Sequence, residues 1–270
     1  MESLLESLQI TEHALAVMVG LPRILMIMAV VPFLGSQVLT GHLKMCIAVS
    51  FYLVLHPVML ETVSFSGGGI YYLLHVAVIM IKECVLGILI GFLIGVVFWA
   101  VQSAGFFIDN QRGLTQAMGS DALSGEESSP LGIFLFQAIT YVFFAGGSFV
   151  LFLNFLYASY VLWPVQELLP FSVFMQRQFP LFFVEQVNGL MLMMLLLSAP
   201  IVVTCLLTDI SLGLINRFAA QLNVYILAMP IKSGLVSFLL IFYFSILIYS
   251  VLPHLNSVFY EIQFNMDRLL

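Results

Sequence analysis

Charge is scarce in this chain. Only 8% of its 270 residues are Asp, Glu, Lys or Arg, 62% are hydrophobic, and mean hydropathy is +1.12. So few polar groups cannot cover a globule of this length, which excludes a soluble fold and implies an integral membrane protein. Eight basic residues stand singly under a net charge of -6, leaving no basic stripe for nucleic acid and no loop asymmetry to fix orientation. Cys46, Cys84 and Cys205 are odd in number and set in apolar sequence, so they read as small packing residues and not as a disulfide framework. Catalytic motifs are missing too: no Gly-x-Ser-x-Gly elbow, no His-Glu-x-x-His pair and no phosphate-binding loop ending in Lys-Ser/Thr. His13, His42, His56, His75 and His254 are scattered without metal-ligand spacing. Neither an enzyme nor a bound metal or cofactor is expected.

Long uncharged runs take the place of these features. Cys84–Val101, Leu131–Trp163, Gln186–Thr208 and Ser233–Tyr260 carry no charge and reach or exceed the roughly 18 residues of a membrane helix. The first apolar segment does not read as a cleavable signal, because acidic Glu2, Glu6 and Glu12 replace a basic start and Arg23 interrupts it. Helices are expected over His13–Phe33 with a kink at Pro22, over Met45–Leu60, and over Ile70–Val101 with a break or kink at Lys82-Glu83. Further helices follow over Leu131–Trp163, with a bend or a tight-packing point at Gly146-Gly147-Ser148, and over Phe179–Thr208, kinked at Ala199-Pro200. A separate amphipathic segment from Asp209 to Leu222 and a last helix, Ser233–Leu252, complete the series. Broken backbone at membrane depth survives only under protein cover or beside a wet cavity, so the pattern favours assembly. The fold class expected is all-α: a polytopic membrane-type protein of long, broken or bent helical hairpins. It forms one integral-membrane domain over 1–270, with amino-terminal helices to 101, a polar loop over 102–130 and carboxy-terminal helices over 131–270. No internal repeat is visible.

The polar and glycine positions within these runs carry the remaining information. Gly87, Gly91 and Gly95 recur every four residues and strip one helix face for close backbone contact. Lys82 and Glu83 diverge by about 100° on a helix, so each is expected to find its partner elsewhere, as a structural pair or in an ion pathway. Arg23 either anchors a helix junction or snorkels to an interface. Asp209 and Arg217 share a helix face and, with Lys232, are expected to form a structural polar cluster. Asp109-Asn110-Gln111-Arg112-Gly113 breaks abruptly out of apolar sequence, and an exposed turn or a tight re-entrant structure would both accommodate it.

Ile108-Asp109-Asn110-Gln111-Arg112-Gly113, followed by Leu123-Ser124-Gly125-Glu126-Glu127-Ser128-Ser129-Pro130-Leu131-Gly132, resembles the FliR/SctT family over nearly the whole chain. The stretch Asp209 through Lys232, and Arg23 with Met28, Pro32 and Gly35, extend the likeness. That family supplies an export-apparatus subunit of flagellar and virulence-associated type III secretion systems. The Asn-Gln-Arg-Gly wording and the Met229-Pro230-Ile231-Lys232-Ser233 ending look more like the injectisome SctT branch. Ala220 and Ala122 depart from the pattern, standing where the family usually has proline. The resemblance implies a non-enzymatic, multi-pass export-gate subunit of the bacterial inner membrane, set towards the periplasm. It implies one SctT beside five SctR and four SctS subunits in a helical assembly, contacted by SctU and by membrane lipid, that passes unfolded protein substrates. It also implies a pore plug in the loop after the motif, with Gln111, Arg112, Gly113, Leu114, Met118 and Leu123 as sealing residues. A multi-pass secondary transporter is the alternative, since it too would use broken helices and intramembrane charges. A membrane-embedded enzyme is a weaker rival, for which no nucleophile and base can be named.

Overall fold

The computed structural model describes residues 10–35, 39–62, 70–114, 129–167, 177–218 and 224–269. Met118, Leu123, Ala122 and Ala220 lie outside the described residues. An apolar chain must satisfy its own backbone donors and acceptors, and the helix does so locally. Among the described residues seven helices result: α1 (Ile10–Val30), α2 (Gly41–Thr62), α3 (Ile70–Gln111), α4 (Pro130–Ala145), α5 (Ser148–Leu162), α6 (Gln178–Phe218) and α7 (Val224–Leu269). A 3-10 turn, Pro32–Leu34, follows α1, and no strand occurs among the described residues. Five of the helices are long and apolar enough to cross a membrane, six spans if the bent pair α4–α5 counts as one.

That pair bends where the sequence places the bend. α4 and α5 meet at 77° across Gly146-Gly147, and Gly147 adopts φ 78°, a left-handed conformation that suits glycine. At the other positions singled out the helices continue. α3 runs unbroken for 42 residues through Lys82-Glu83 and on to Gln111, ten residues past the expected end at Val101. Charge does not break this helix because both side chains find buried partners beside it. α6 runs for 41 residues through Pro200 and into the stretch expected as a separate amphipathic element, and α7 runs for 46 residues through Pro230 and Pro253. Each proline frees one carbonyl four residues earlier, which hydroxyls or local adjustment can absorb in a membrane-type helix. Pro22 likewise lies inside a continuous α1.

The chain divides into two compact units. The first comprises Met1–Gly95, Phe149–Val184 and Val258–Leu270; the second comprises Val96–Ser148 and Glu185–Ser257. In the first, the core gathers Ile24, Ile27 and Met28 of α1, Ile79, Leu86 and Ile90 of α3, and Phe152 of α5, all buried. Phe33 and Phe152 meet edge to face at 5.6 Å, the favoured arrangement of aromatic quadrupoles. In the second, Phe98 of α3 packs edge to face on Phe143 of α4 at 5.3 Å, with Ile139, Leu135 and Ile108 buried.

Glycine sets how closely helices approach. A Cβ on Gly87 would stand 2.6 Å from the Arg23 carbonyl oxygen and 2.7 Å from Met26 Cβ. One on Gly91 would stand 2.9 Å from Val30 Cβ and 3.2 Å from the Ile27 carbonyl oxygen. Gly95 is buried one turn further on. In the second unit α3 and α4 cross with Gly105 against Gly132, where a Cβ on Gly105 would lie 2.6 Å from the Gly132 backbone.

Because the Gly87 clash is with backbone, it cannot be relieved by a side-chain turn. Gly87→Ala is expected to destabilise the chain by about 1–3 kcal/mol. Gly189→Ala, at a position with nothing within 4 Å, is expected to stabilise slightly through helix propensity, by about 0.5–1 kcal/mol. Thermal unfolding in detergent separates the two.

Candidate functional site

Each unit holds a cluster of buried charged groups, and both follow from the same problem. The ends of a helix leave carbonyls or N–H groups unpaired, and a buried charge needs partners. Bringing a charge to a helix end answers both needs.

In the first unit Arg23 of α1 and Glu83 of α3 are fully buried and Lys82 is 4% exposed. Arg23 Nε donates to Glu83 Oε2 at 2.6 Å and Nη2 to Oε1 at 3.0 Å, a bidentate fork. The remaining guanidinium protons go to α5 and the residue after it: Nη1 to the Ser159 carbonyl at 2.6 Å and Nη2 to the Trp163 carbonyl at 2.9 Å. The guanidinium also lies 4.1 Å over the Tyr160 ring, whose hydroxyl donates to the Gly20 carbonyl. Lys82 Nζ sits 2.8 Å from Glu83 Oε1 and donates to the carbonyls of Pro164, Val165 and Glu167 at 2.9, 2.9 and 3.0 Å. Two cations thus share one carboxylate, and the surplus positive charge rests on carbonyls at the C-terminal end of α5, where the helix dipole favours a cation. Lys82 and Glu83 were expected to diverge to separate partners. They touch each other as well, because the long lysine stem folds back over the turn.

In the second unit Asp109, fully buried on the last turn of α3, reaches the start of α4. Its Oδ2 accepts from Ser129 Oγ at 2.6 Å and from the Leu131 N–H at 3.0 Å, while Oδ1 lies 2.6 Å from Arg112 Nη2. Ser129 caps α4 by accepting from the Gly132 N–H at 2.9 Å, with Pro130 at the first helical position. The carboxylate therefore sits at the positive end of α4 while belonging to α3. Arg112 Nε is buried without a hydrogen bond among the described residues. α3 ends where Gly113 turns to φ 83°, its N–H donating to the Asn110 carbonyl at 3.0 Å. Lys232 of α7 donates to the Gln111 carbonyl at 3.3 Å and forms an ion pair with Asp209 of α6. One junction thus ties together the end of α3, the start of α4, α6 and α7.

These contacts place the residues singled out in the sequence. Arg23, Lys82 and Glu83 converge; Asp109 and Arg112 pair; Asp209 meets Lys232. Gln111, Gly113 and Leu114 lie at the end of α3, half-exposed. Arg217 does not join the Asp209–Lys232 pair: it is exposed in the last turn of α6, about 12 Å along the axis from Asp209 at 1.5 Å per residue. Asp209 is 44% exposed, so the pair is worth about 0–1 kcal/mol and not the cost of a buried one. Ser129, Ser159 and the carbonyls after α5 escaped the sequence reading; Ser129-Pro130 is a helix-start signal that could have found the first. So did a contact between α1 and α2: His13 Nδ1 lies 2.9 Å from His56 Nε2, and His56 Nδ1 lies 3.0 Å from the Tyr52 hydroxyl. Among the described residues no three His, Cys, Asp or Glu side chains could hold a metal.

Glu83→Gln would leave two buried cations without their shared anion and is expected to cost about 3–5 kcal/mol. Glu185→Gln, on an exposed stretch of α6, serves as the control, and thermal unfolding in detergent reads both. Gly113→Ala forces an L side chain into the left-handed region, at about 1–2 kcal/mol. The same assay should show a shift several times smaller than that of Glu83→Gln.

Comparison with known proteins places the chain in a family. Residues 14–258 match the family described as bacterial export proteins, family 1. The chain is 37% identical over 224 residues to "Yop proteins translocation protein T" of Yersinia pestis, covering 83% of each. It is 32% identical to "Surface presentation of antigens protein SpaR" of Salmonella typhimurium, over 84% of this chain and 81% of that one. With "Flagellar biosynthetic protein FliR" of Bacillus subtilis it shares 28% identity over 73% of this chain and 74% of the other. The match spans both polar clusters and all but the ends of the sequence, and the chain belongs to the bacterial export proteins, family 1.

Proposed function

We propose that this chain is a structural channel subunit of the type III secretion export apparatus, of the injectisome branch. In this reading it forms, with SctR and SctS, the entry gate for unfolded proteins at the bacterial inner membrane. One copy stands beside five SctR and four SctS subunits, with SctU against the assembly, and part of the assembly extends towards the periplasm. It acts by packing and sealing and not by catalysis.

One observation carries this reading: the exposed apolar surface is longer than a bilayer. On α6, exposed large apolar side chains run from Leu181 to Phe218, about 56 Å of helix at 1.5 Å per residue. A hydrocarbon core of about 30 Å holds only about 39 Å of a helix tilted by 40°. Lipid cannot cover the remainder and water would not tolerate it, so other protein must. The most apolar window of α3 is 67% buried within the chain, while those of α6 and α7 are only 22% and 17% buried. Together with α2, whose window is also only 22% buried, these helices present the faces left for lipid and neighbours.

The junction at Asp109 suits a seal. The connection from α3 to α4 begins at Arg112 and ends at Ser129, and both residues bind the same carboxylate. A loop closed at its base can span a pore while its stems stay fixed. We assign Gln111, Arg112, Gly113 and Leu114, with Met118 and Leu123 beyond them, to this seal; Gly87, Gly91 and Gly95 to helix packing; and Arg23, Lys82, Glu83, Asp109, Asp209 and Lys232 to polar anchoring, while Arg217 stands apart from them.

The test of assembly is co-purification with the neighbouring membrane subunits and native mass measurement. The expected result is one copy of this chain per complex; a monomer that carries a solute flux by itself would favour the transporter. Deleting Leu114–Gly119 is expected to leave assembly intact and to raise the ion conductance of membranes bearing the complex, because a dry constriction becomes a hydrated one. Unchanged conductance in an assembled deletion complex would remove the seal from this loop.

A further inference from the structure

Between Glu185 and Arg217, Asp209 is the one charged residue of α6. Its side chain is 44% exposed although its neighbours are apolar: Leu206 and Ile210 on the same face are themselves 57% and 54% exposed. At 100° per residue Leu206, Asp209, Ile210, Gly213 and Arg217 fall within about 100° of arc, a single stripe of the helix. A Cβ on Gly213 would meet nothing within 4 Å, and Arg217 is exposed one turn further on. Lys232 answers one carboxylate oxygen of Asp209 and is itself shared with the Gln111 carbonyl. The stripe thus carries a partly answered anion at one end, a cation about 12 Å away at the other, and a notch between them.

Each simple cover for this stripe fails on one component. Lipid tails suit Leu206 and Ile210 but not a half-exposed carboxylate. Water suits Asp209 and Arg217 but not the apolar residues between them. A second copy of this chain in the same orientation, presenting this same stripe, would set Asp209 near Asp209 and Arg217 near Arg217, like against like. What fits is an apolar helix from a different chain, crossing closely at Gly213, with a carboxylate near Arg217 and a hydrogen-bond donor or cation near Asp209.

We propose that the Leu206–Arg217 stripe of α6 is the docking site for such a helix of a second, different membrane subunit. This rests on the reading of the chain as a subunit of an assembled export apparatus, and it adds where one neighbour sits and which charges that neighbour must carry.

The test uses the full-length chain in membranes that contain the whole apparatus, with Gly213 replaced by the photoreactive p-benzoylphenylalanine. Irradiation is expected to give one adduct, to a different protein, whose cross-linked peptide is an apolar helix bearing an acidic residue. Arg217→Glu is expected to reduce that adduct about tenfold or more, and changing the partner's acidic residue to Lys is expected to restore it. Gly213→Leu fills open space, so insertion and thermal unfolding should stay as in the parent chain while the complex is lost. An adduct to the chain's own copy, an adduct indifferent to Arg217→Glu, or no adduct while native gels show the chain in the large complex would overturn the proposal. A chain that runs only as a monomer on those gels would overturn the assembly reading together with it.

Discussion

The buried contact among Arg23, Glu83 and Lys82 is the interaction on which the first unit depends. Three charges at essentially no exposure are costly to hold in an apolar protein, and removing the shared carboxylate leaves two cations uncompensated. The arrangement resolves this by spending every donor. The arginine fork takes both carboxylate oxygens, and its outer protons, with the three of the ammonium, go to carbonyls at and after the end of α5. α1, α3 and the turn after α5 are thereby fixed against each other by bonds with direction, which apolar packing alone does not provide. Gly87 and Gly91 let α1 lie close enough for the fork to reach.

The second unit repeats the logic with the signs exchanged. An anion, Asp109, closes the start of α4, and a cation, Lys232, closes the end of α3. Side chains from one helix complete the backbone of another, so the end of α3 and the start of α4 meet α6 and α7 in one polar junction. This organisation leaves the outer faces of α6 and α7 apolar, and on α6 the length of that face exceeds what a bilayer can cover. Stability within each unit and incompleteness outside it are consequences of the same allocation of few charges.

Much of this was legible in the sequence, for identifiable reasons. Composition alone gave helices and membrane, and Gly146-Gly147 marked the bend because consecutive glycines tolerate φ values that other residues avoid. The helices continue through Lys82-Glu83, Pro200 and Pro230, because local rules treat a charge or a proline as a terminator while tertiary partners and membrane-type helices absorb both. For the same reason α3 runs past Val101: Asp109 is polar in sequence but buried in place, and its partners Ser129 and Leu131 lie twenty and twenty-two residues on. The polar residues of interest could be named from the sequence, but their pairing could not. Arg217 shares a face with Asp209, yet Lys232 on the next helix is the partner. His13 and His56 meet across 43 residues, a separation that no local motif search covers.

The central physical claim is that Arg23 and Glu83 stabilise this chain as a coupled pair. A double-mutant cycle measures that coupling directly, using unfolding free energies in detergent for Arg23→Leu, Glu83→Leu and the double variant. If the pair acts as described, the double variant is less destabilised than the sum of the single ones, with a coupling of about 2–3 kcal/mol. Additive losses, with coupling below about 0.5 kcal/mol, would show that the two charges hold the helices independently and would contradict the claim.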